Sequence, residues 1–246
     1  MWYLKGNVIV NLLIITAVFF SIKGYAQTNQ IFFQSGTGSI GSQDSNLWVV
    51  GNWEDGPTNP RPGLTGASGF QTPQHPYIVN PYPSWAIPIS GGNYVAPGYE
   101  QWSLNGNLVD IGWGEPGGWQ YYEDFNLPAN VSSATLDLLW HGDDGAYPNI
   151  NGTYIGYGYG TGLNSPPAED IFNITQYILP GNNRLSLFVE NANTGGPNPT
   201  GVDFKGILTY TVTPEPSSFI LLITGILPLC FLSCKKLLII KHNNIS

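Results

Sequence analysis

Charged residues are scarce in this chain of 246 amino acids, at 10% of the total, and basic ones are nearly missing from its middle. Between residues 27 and 213 only Arg61, Arg184 and Lys205 are basic, against fifteen acidic residues, which gives a formal charge of about −12. A surface with that excess of negative charge repels phosphate backbones. The composition therefore excludes nucleic acid as a partner, and it suits an exported domain that stays dispersed.

Cysteine is also missing from the middle of the chain, because the two cysteines, Cys230 and Cys234, both lie in a C-terminal apolar stretch. This excludes a disulfide framework, a thiolate nucleophile and a cysteine metal site in the folded domain. Long helices are disfavoured too. The 20 prolines and 31 glycines break them, and an internal proline costs a helix about 3 kcal/mol.

The first 26 residues have the three-part layout of a secretory signal peptide. Lys5 precedes an apolar run from Val8 to Phe20, and small residues ending at Ala26 follow it. The alternative is a retained membrane anchor, but Asn11 and the short length of the run argue against it. We therefore predict a signal helix, export, and cleavage after Ala26.

The C-terminal region contains about 18 uncharged residues, 217–234, close to the minimum for a membrane-spanning helix. Lys235 and Lys236 follow at once, and by the positive-inside rule they hold the end of the chain in the cytoplasm. We therefore predict a C-terminal transmembrane helix, with the preceding domain on the outer side of the membrane.

Pro214-Glu215-Pro216, an apolar helix and a basic cluster, in that order, resemble the PEP-CTERM sorting signal of Gram-negative bacteria. Here Lys235-Lys236 stands where that signal usually has an arginine-rich end. The resemblance implies recognition of residues 214–246 by an exosortase, a membrane protease. The exosortase removes the tail and passes the protein to the cell surface or extracellular matrix.

The middle of the chain alternates apolar and polar residues with the period of two that is typical of strands. In "ATLDLLW" this places Leu136, Leu138 and Trp140 on one face, and in "NRLSLFVEN" it places Leu185 and Leu187 on one face. Turn sequences such as "GDDG", "NING" and "LPGNN" separate the strands. We predict an all-β antiparallel sandwich over residues 28–213.

From Trp119 onward the order of segments resembles the galactose-binding-like jelly roll of many carbohydrate-binding modules. The corresponding pieces are an aromatic strand, a strand ending in Asp143-Asp144, an Asn151-Gly152 hairpin, and a "GxNxL"-type strand from Gly181 to Leu185. The resemblance implies a jelly-roll fold and a carbohydrate ligand.

The segment "WHGDDGAYPNING" offers oxygen ligands for a cation in Asp143, Asp144 and Asn151. Calcium prefers carboxylate and carbonyl oxygens of this kind, although the spacing is not that of an EF-hand. The alternative, which we favour, is turn chemistry, in which Asp and Asn side chains bind their own backbone. A structural Ca²⁺ is the secondary prediction.

Seven tryptophans fall in the domain, and their flat faces can stack on sugar rings. Trp140, which follows Leu138 and Leu139, is predicted to be core. Trp53, in "GNWEDG", and Trp113 and Trp119, in "IGWGEPGGWQ", have loop-like surroundings and are the predicted ligand-binding residues.

No catalytic site is predicted. The chain has no GxSxG or HExxH motif, and the neighbours Glu123 and Asp124 would point to opposite faces of a strand. The predicted function is non-enzymatic binding or organisation of extracellular polysaccharide. The alternatives are a structural surface protein with protein partners only, and a carbohydrate-active hydrolase with convergent carboxylates.

Overall fold

The computed structural model describes residues 26–51, 72–83, 85–104, 107–113, 117–143, 145–156, 166–191 and 199–213. Residues Thr28–Val212 form one compact unit. The other unit comprises Met1–Gln27 and Thr213–Ser246, nearly all of it outside the described residues. The predicted signal peptide, sorting motif and transmembrane helix therefore lie outside them. Among the residues that are described, no helix is long and apolar enough to cross a bilayer.

The described part is built from strands. They are β1 (Gln27–Gln34), β2 (Trp48–Val50), β3 (Tyr77–Val79), β4 (Tyr94–Ala96), β5 (Gly98–Leu104), β6 (Asn107–Trp113), β7 (Gly117–Leu127), β8 (Val131–Asp143), β9 (Gly145–Ile150), β10 (Thr153–Tyr154), β11 (Ala168–Asn173), β12 (Gly181–Asn191) and β13 (Gly201–Val212). The all-β, antiparallel prediction is confirmed.

The strands form two large sheets and a hairpin. The six-stranded sheet has the order β11-β8-β13-β4-β3, with β1 also paired to β13. The five-stranded sheet has the order β10-β9-β12-β7-β2, and β5 and β6 pair with each other. From β7 onward almost every connection between described strands changes sheet, and among those strands only β9 and β10 are consecutive members of one sheet.

One hydrophobic cluster receives side chains from both large sheets, as a sandwich requires. Leu136, Leu138 and Trp140 of β8 enter it from the six-stranded sheet, and Leu185 and Leu187 of β12 enter it from the five-stranded sheet. The period-two prediction for these two strands is confirmed, as is the core position of Trp140. The sides of the sheets that face this cluster are called inner below, and the opposite sides outer.

Candidate functional site

The outer face of the five-stranded sheet carries a row of aromatic and hydrogen-bonding side chains that crosses all five strands. The paired residues are, in order, Trp48, Tyr122, Ser186, Asn149 and Tyr154. Their sequence neighbours, such as Val49 and Leu185, belong to the core, so alternation directs the row outward. Charged residues that would keep such a face solvated do not occur in this row.

A second row lies beside the first and has the same character. It places Gln120 of β7 opposite Phe188 of β12, and Phe188 opposite Tyr147 of β9. These three side chains are buried, although they lie outside the cluster between the sheets. The outer face of the five-stranded sheet thus combines ring surfaces with amide and hydroxyl groups over two adjacent rows.

Two polar atoms on this face lack a hydrogen-bond partner within the described part of the chain. They are Oε1 of Gln120 and Oγ of Ser186, which occupy diagonal positions on β7 and β12, and both atoms are buried. A buried polar atom without a partner costs about 1–3 kcal/mol, so native proteins retain few of them. Both side chains are buried, with Gln120 2% and Ser186 0% exposed, so a ligand outside the folded body does not reach these atoms.

Trp48 forms the accessible end of the first row, with 37% of its surface exposed. The ring of His75 packs against the indole, with centroids 4.0 Å apart and an interplanar angle of 32°. His75 is itself fixed, because its Nδ1 lies 2.6 Å from the carbonyl oxygen of Leu47, to which it donates a hydrogen bond. The indole is therefore held in place before any ligand arrives.

Tyr122, next to Trp48 in the first row, is covered by a cation. The guanidinium carbon of Arg184 lies 3.7 Å from the centre of the Tyr122 ring. Nε and Nη2 of Arg184 donate to the two carboxylate oxygens of Asp124 at 2.7 and 3.1 Å. This bidentate pair fixes the guanidinium over the ring and closes the face on that side.

The tryptophans predicted to bind a ligand have different outcomes. Trp119 is 0% exposed and belongs to the core, so the prediction that it stacks on a ligand is wrong. The reason is that β7 begins at Gly117, which puts Trp119 on the inner face with Tyr121 and Phe125. Trp53 lies outside the described residues. The backbone of Trp113 ends β6, and its side chain falls outside the described part.

The proposed calcium ligands are not brought together. Asp143 ends β8 and Asn151 follows β9, so the six-residue strand Gly145–Ile150 separates them by about 20 Å. Oδ2 of Asp143 accepts a hydrogen bond from Nε1 of Trp85 at 2.9 Å. Among the described residues no cluster of His, Cys, Asp or Glu could hold a metal. The prediction of a shared cation site at Asp143 and Asn151 is wrong, and Asp144 lies outside the described residues.

A group of ionisable side chains lies on the outer face of the six-stranded sheet, but their own bonds satisfy the carboxylates. Asp203 is fully buried and accepts from the hydroxyl of Ser35 at 2.9 Å and the backbone N–H of Ile89 at 2.5 Å. Burial raises the pKa of Asp203 to about 6, although these two bonds oppose the shift. Burial also lowers the pKa of His141, the residue that pairs with Asp203 across β8 and β13. Both carboxylate oxygens of Asp203 thus hold the fold together.

A second pair of acids lies at the β2 side of the sandwich. Asp44 is buried and its two carboxylate oxygens accept from the backbone N–H groups of Gly36 and Asn46, at 2.7 and 3.0 Å. Burial, and secondarily the negative charge of Asp44, raise the pKa of Glu123 to about 7. Both oxygens of Asp44 thus hold the loop that it closes.

No protein-family model matches the chain, and no curated protein matches it. Solved structures with some similarity include β-glucuronidase from Ruminococcus gnavus, 12% identical over 77% of this chain and 29% of that chain, with a TM-score of 0.36. An uncultured Clostridium β-glucuronidase is 11% identical over 79% and 30%, with a TM-score of 0.35. The α-L-rhamnosidase of Dictyoglumus thermophilum is 14% identical over 49% and 15%, with a TM-score of 0.28. The chain spans no more than 30% of the length of any of these three.

Proposed function

We propose that this protein is an exported, non-enzymatic module that binds extracellular polysaccharide through the outer face of the five-stranded sheet. The observation that carries the proposal is the composition of that face. It places the exposed, pre-positioned indole of Trp48 at the edge of two rows of aromatic, amide and hydroxyl groups that are largely buried.

A sugar ring is a suitable ligand for an exposed aromatic side chain that has polar groups around it. The C–H faces of a pyranose ring are apolar and stack on indole and phenol rings, and its hydroxyl groups donate and accept hydrogen bonds. Trp48 supplies a stacking surface at the edge of the sheet. The residues beside it in the two rows are largely buried, so the proposed contact with the sugar is the ring of Trp48.

The arrangement of carboxylates supports binding without hydrolysis. On this face, Glu190 lies six residues along β12 from Arg184, the partner of Asp124, which separates the two acids by about 20 Å. Glycosidases need two carboxyl groups at about 5–10 Å on either side of the scissile bond. Elsewhere among the described residues, Asp203 and Asp44 accept hydrogen bonds from backbone and hydroxyl donors.

The repeated change of sheet from β7 to β13 is typical of a jelly roll, which supports the galactose-binding-like classification. Delivery to the surface rests on the two ends of the sequence. We propose a signal peptide cleaved after Ala26 and a PEP-CTERM tail, 214–246, whose helix anchors the protein until an exosortase removes it. The compact unit Thr28–Val212 contains neither segment, in agreement with their role as transport signals.

The test is a binding assay of the full-length chain in mild detergent against neutral and uronate-rich polysaccharides, in EDTA. We expect binding to at least one polymer, and Trp48→Ala should weaken it by about tenfold or more, equivalent to about 1.4 kcal/mol. Phe32→Ala is the matched control, because it also removes an exposed aromatic ring, on β1 of the other sheet. Equal binding by Trp48→Ala and wild type would refute this site, and binding to no polymer would refute the function.

A further inference from the structure

The outer face of the six-stranded sheet carries a second exposed row, unrelated to the proposed sugar site. Ile171 of β11 pairs with Asp137 of β8, and Asp137 pairs with Ile207 of β13. The backbone N–H of Ser35 donates to the carbonyl of Phe204, and the side chain of Gln30 reaches Thr209. This antiparallel register places Phe32 of β1 beside Ile207. The docking row, Phe32–Ile207–Asp137–Ile171, thus crosses four strands.

Apolar groups at the ends of the docking row are unusually exposed. Phe32 is 65% exposed and Ile171 is 69% exposed, whereas their neighbours Phe33 and Phe172 are buried in the core. Ile207 is half-buried between them. Four strands spaced by about 4.8 Å make a band roughly 14 Å across. Exposed apolar side chains that share one sheet face with a half-buried one are candidates for a contact surface.

Asp137 gives the row its chemical specificity. Its Oδ1 atom is buried, and within the described residues no hydrogen bond reaches it. The flanking isoleucines supply no donor, and Lys205 lies one row further along the same face, opposite Leu139. An unpaired carboxylate oxygen among apolar side chains is costly in the free protein. A partner that brings an N–H donor with positive charge would remove that cost.

We propose that the docking row binds a protein partner that inserts one arginine or lysine between apolar side chains. The aliphatic stem of the basic residue packs on Ile171 and Ile207, and its charged end reaches Asp137. The partner's apolar groups cover Phe32 and Ile171. A second copy of this chain is the weaker fit, because a symmetric contact centred on the row brings Asp137 against Asp137 between two bodies that each carry about −12.

The probes are three immobilised peptides that differ at one position, with arginine, norleucine or glutamate between two leucines. Full-length wild type should bind the arginine peptide at least tenfold more strongly than the glutamate peptide. Asp137→Asn should remove most of that preference, and Phe32→Ser with Ile171→Ser should remove binding to all three. Ile87→Ser, which changes another apolar residue that is 88% exposed, should leave the preference intact.

Two further measurements distinguish recognition from a structural role. If Asp137 serves a partner, Asp137→Asn should leave the melting temperature of the free protein unchanged or higher. A clear fall would assign Asp137 to the fold and overturn the proposal, as would a preference for arginine that survives Asp137→Asn. Sedimentation showing a dimer that the double serine variant dissolves would replace the basic partner with a second copy. Because Trp48 is intact in all these variants, their polysaccharide binding should not change.

Discussion

Two adjacent carboxyl groups on β7 have opposite surroundings. Glu123 lies on the side of Tyr121 and Phe125, where burial and then the charge of Asp44 raise its pKa to about 7. Asp124 points to the other face, is exposed, and pairs with Arg184. Strand alternation alone therefore separates a carboxylate that costs stability when ionised from one that water and a cation solvate.

We expect Glu123→Gln to stabilise the protein by an amount that grows with pH. The folded pKa lies above the unfolded value, so the folded state holds the proton more tightly. The cost of ionising Glu123 is therefore absent below about pH 4, increases between pH 4.5 and 7, and is constant above that range. Glutamine removes the charge at every pH. Thermal melts of the variant and wild type at pH 5 and pH 8 measure the difference.

The matched control is Asp124→Asn, which removes the same charge from the next residue. This variant loses the ion pair with Arg184, so it should be slightly less stable than wild type at both pH values. A Glu123→Gln variant whose melting temperature tracks that of Asp124→Asn across the range would contradict the environment described for Glu123.

The alternation of apolar and polar residues could have identified Trp119 as buried. Trp119 was instead assigned to the loop-like segment "IGWGEPGGWQ". Trp119, Phe125 and Leu127 share one parity in "WQYYEDFNL", so their common burial is readable from the alternation of that segment. The glycines before Trp119 instead favoured a loop. Trp48 was not predicted as a ligand-binding residue, although its ring is exposed. Leu47 and Val49 are fully buried, and the alternation in "LWVV" directs the ring between them outward.

At the scale of single elements, β9 shows the limit of composition as a guide. "GAYPNI" contains glycine, proline and asparagine, which are poor strand formers, and its segment was predicted as a loop that could bind calcium. All six residues are nevertheless buried in a strand between β10 and β12. Non-local pairing to β12, together with burial on both faces, outweighs local propensity here. No pattern within six residues carries that information.

The hairpin that joins β9 to β10 was predicted from the dipeptide Asn151-Gly152. The backbone geometry explains why these two residue types occur there. Both residues have positive φ, 52° and 76°, as a two-residue hairpin turn of type I′ requires. Oδ1 of Asn151 accepts from the backbone N–H of Arg184 at 2.9 Å. Its Nδ2 donates to the carbonyl of Tyr177 at 2.8 Å and to Oδ1 of Asn183 at 2.9 Å. The side chain that was a candidate metal ligand instead ties the hairpin to β12.

Asn151→Ala should therefore destabilise the domain by about 2–4 kcal/mol, through lost hydrogen bonds and a strained left-handed backbone. Asn151→Gly should recover about 1 kcal/mol of that loss, because glycine tolerates the positive φ but cannot replace the bonds. Urea unfolding of the three proteins separates the two contributions. Equal stability of the alanine variant and wild type would show that the side-chain bonds are unimportant, and added Ca²⁺ should change none of the curves.

At the scale of the whole molecule, we predicted transport segments at the two ends of a folded body, and the first and last described strands lie between the predicted borders. β1 begins at Gln27, immediately after the predicted cleavage site at Ala26, and β13 ends at Val212, two residues before Pro214. Both strands contribute to the same sheet, where they pair with each other. The nearly uniform negative charge of the body and the basic residues of the two ends follow the same boundaries.

We therefore expect processing at both ends to leave the fold intact. A chain of residues 27–213 should unfold in urea with one cooperative transition, and Trp119 and Trp140 should stay in an apolar environment, because they keep their core neighbours. Intact-mass measurement of protein recovered from the cell surface should show a chain that lacks residues 1–26 and the apolar tail. A non-cooperative transition with dye-accessible apolar surface would mean that the terminal segments complete the core. A surface form that retains residues 217–234 would instead show that the tail is a permanent anchor.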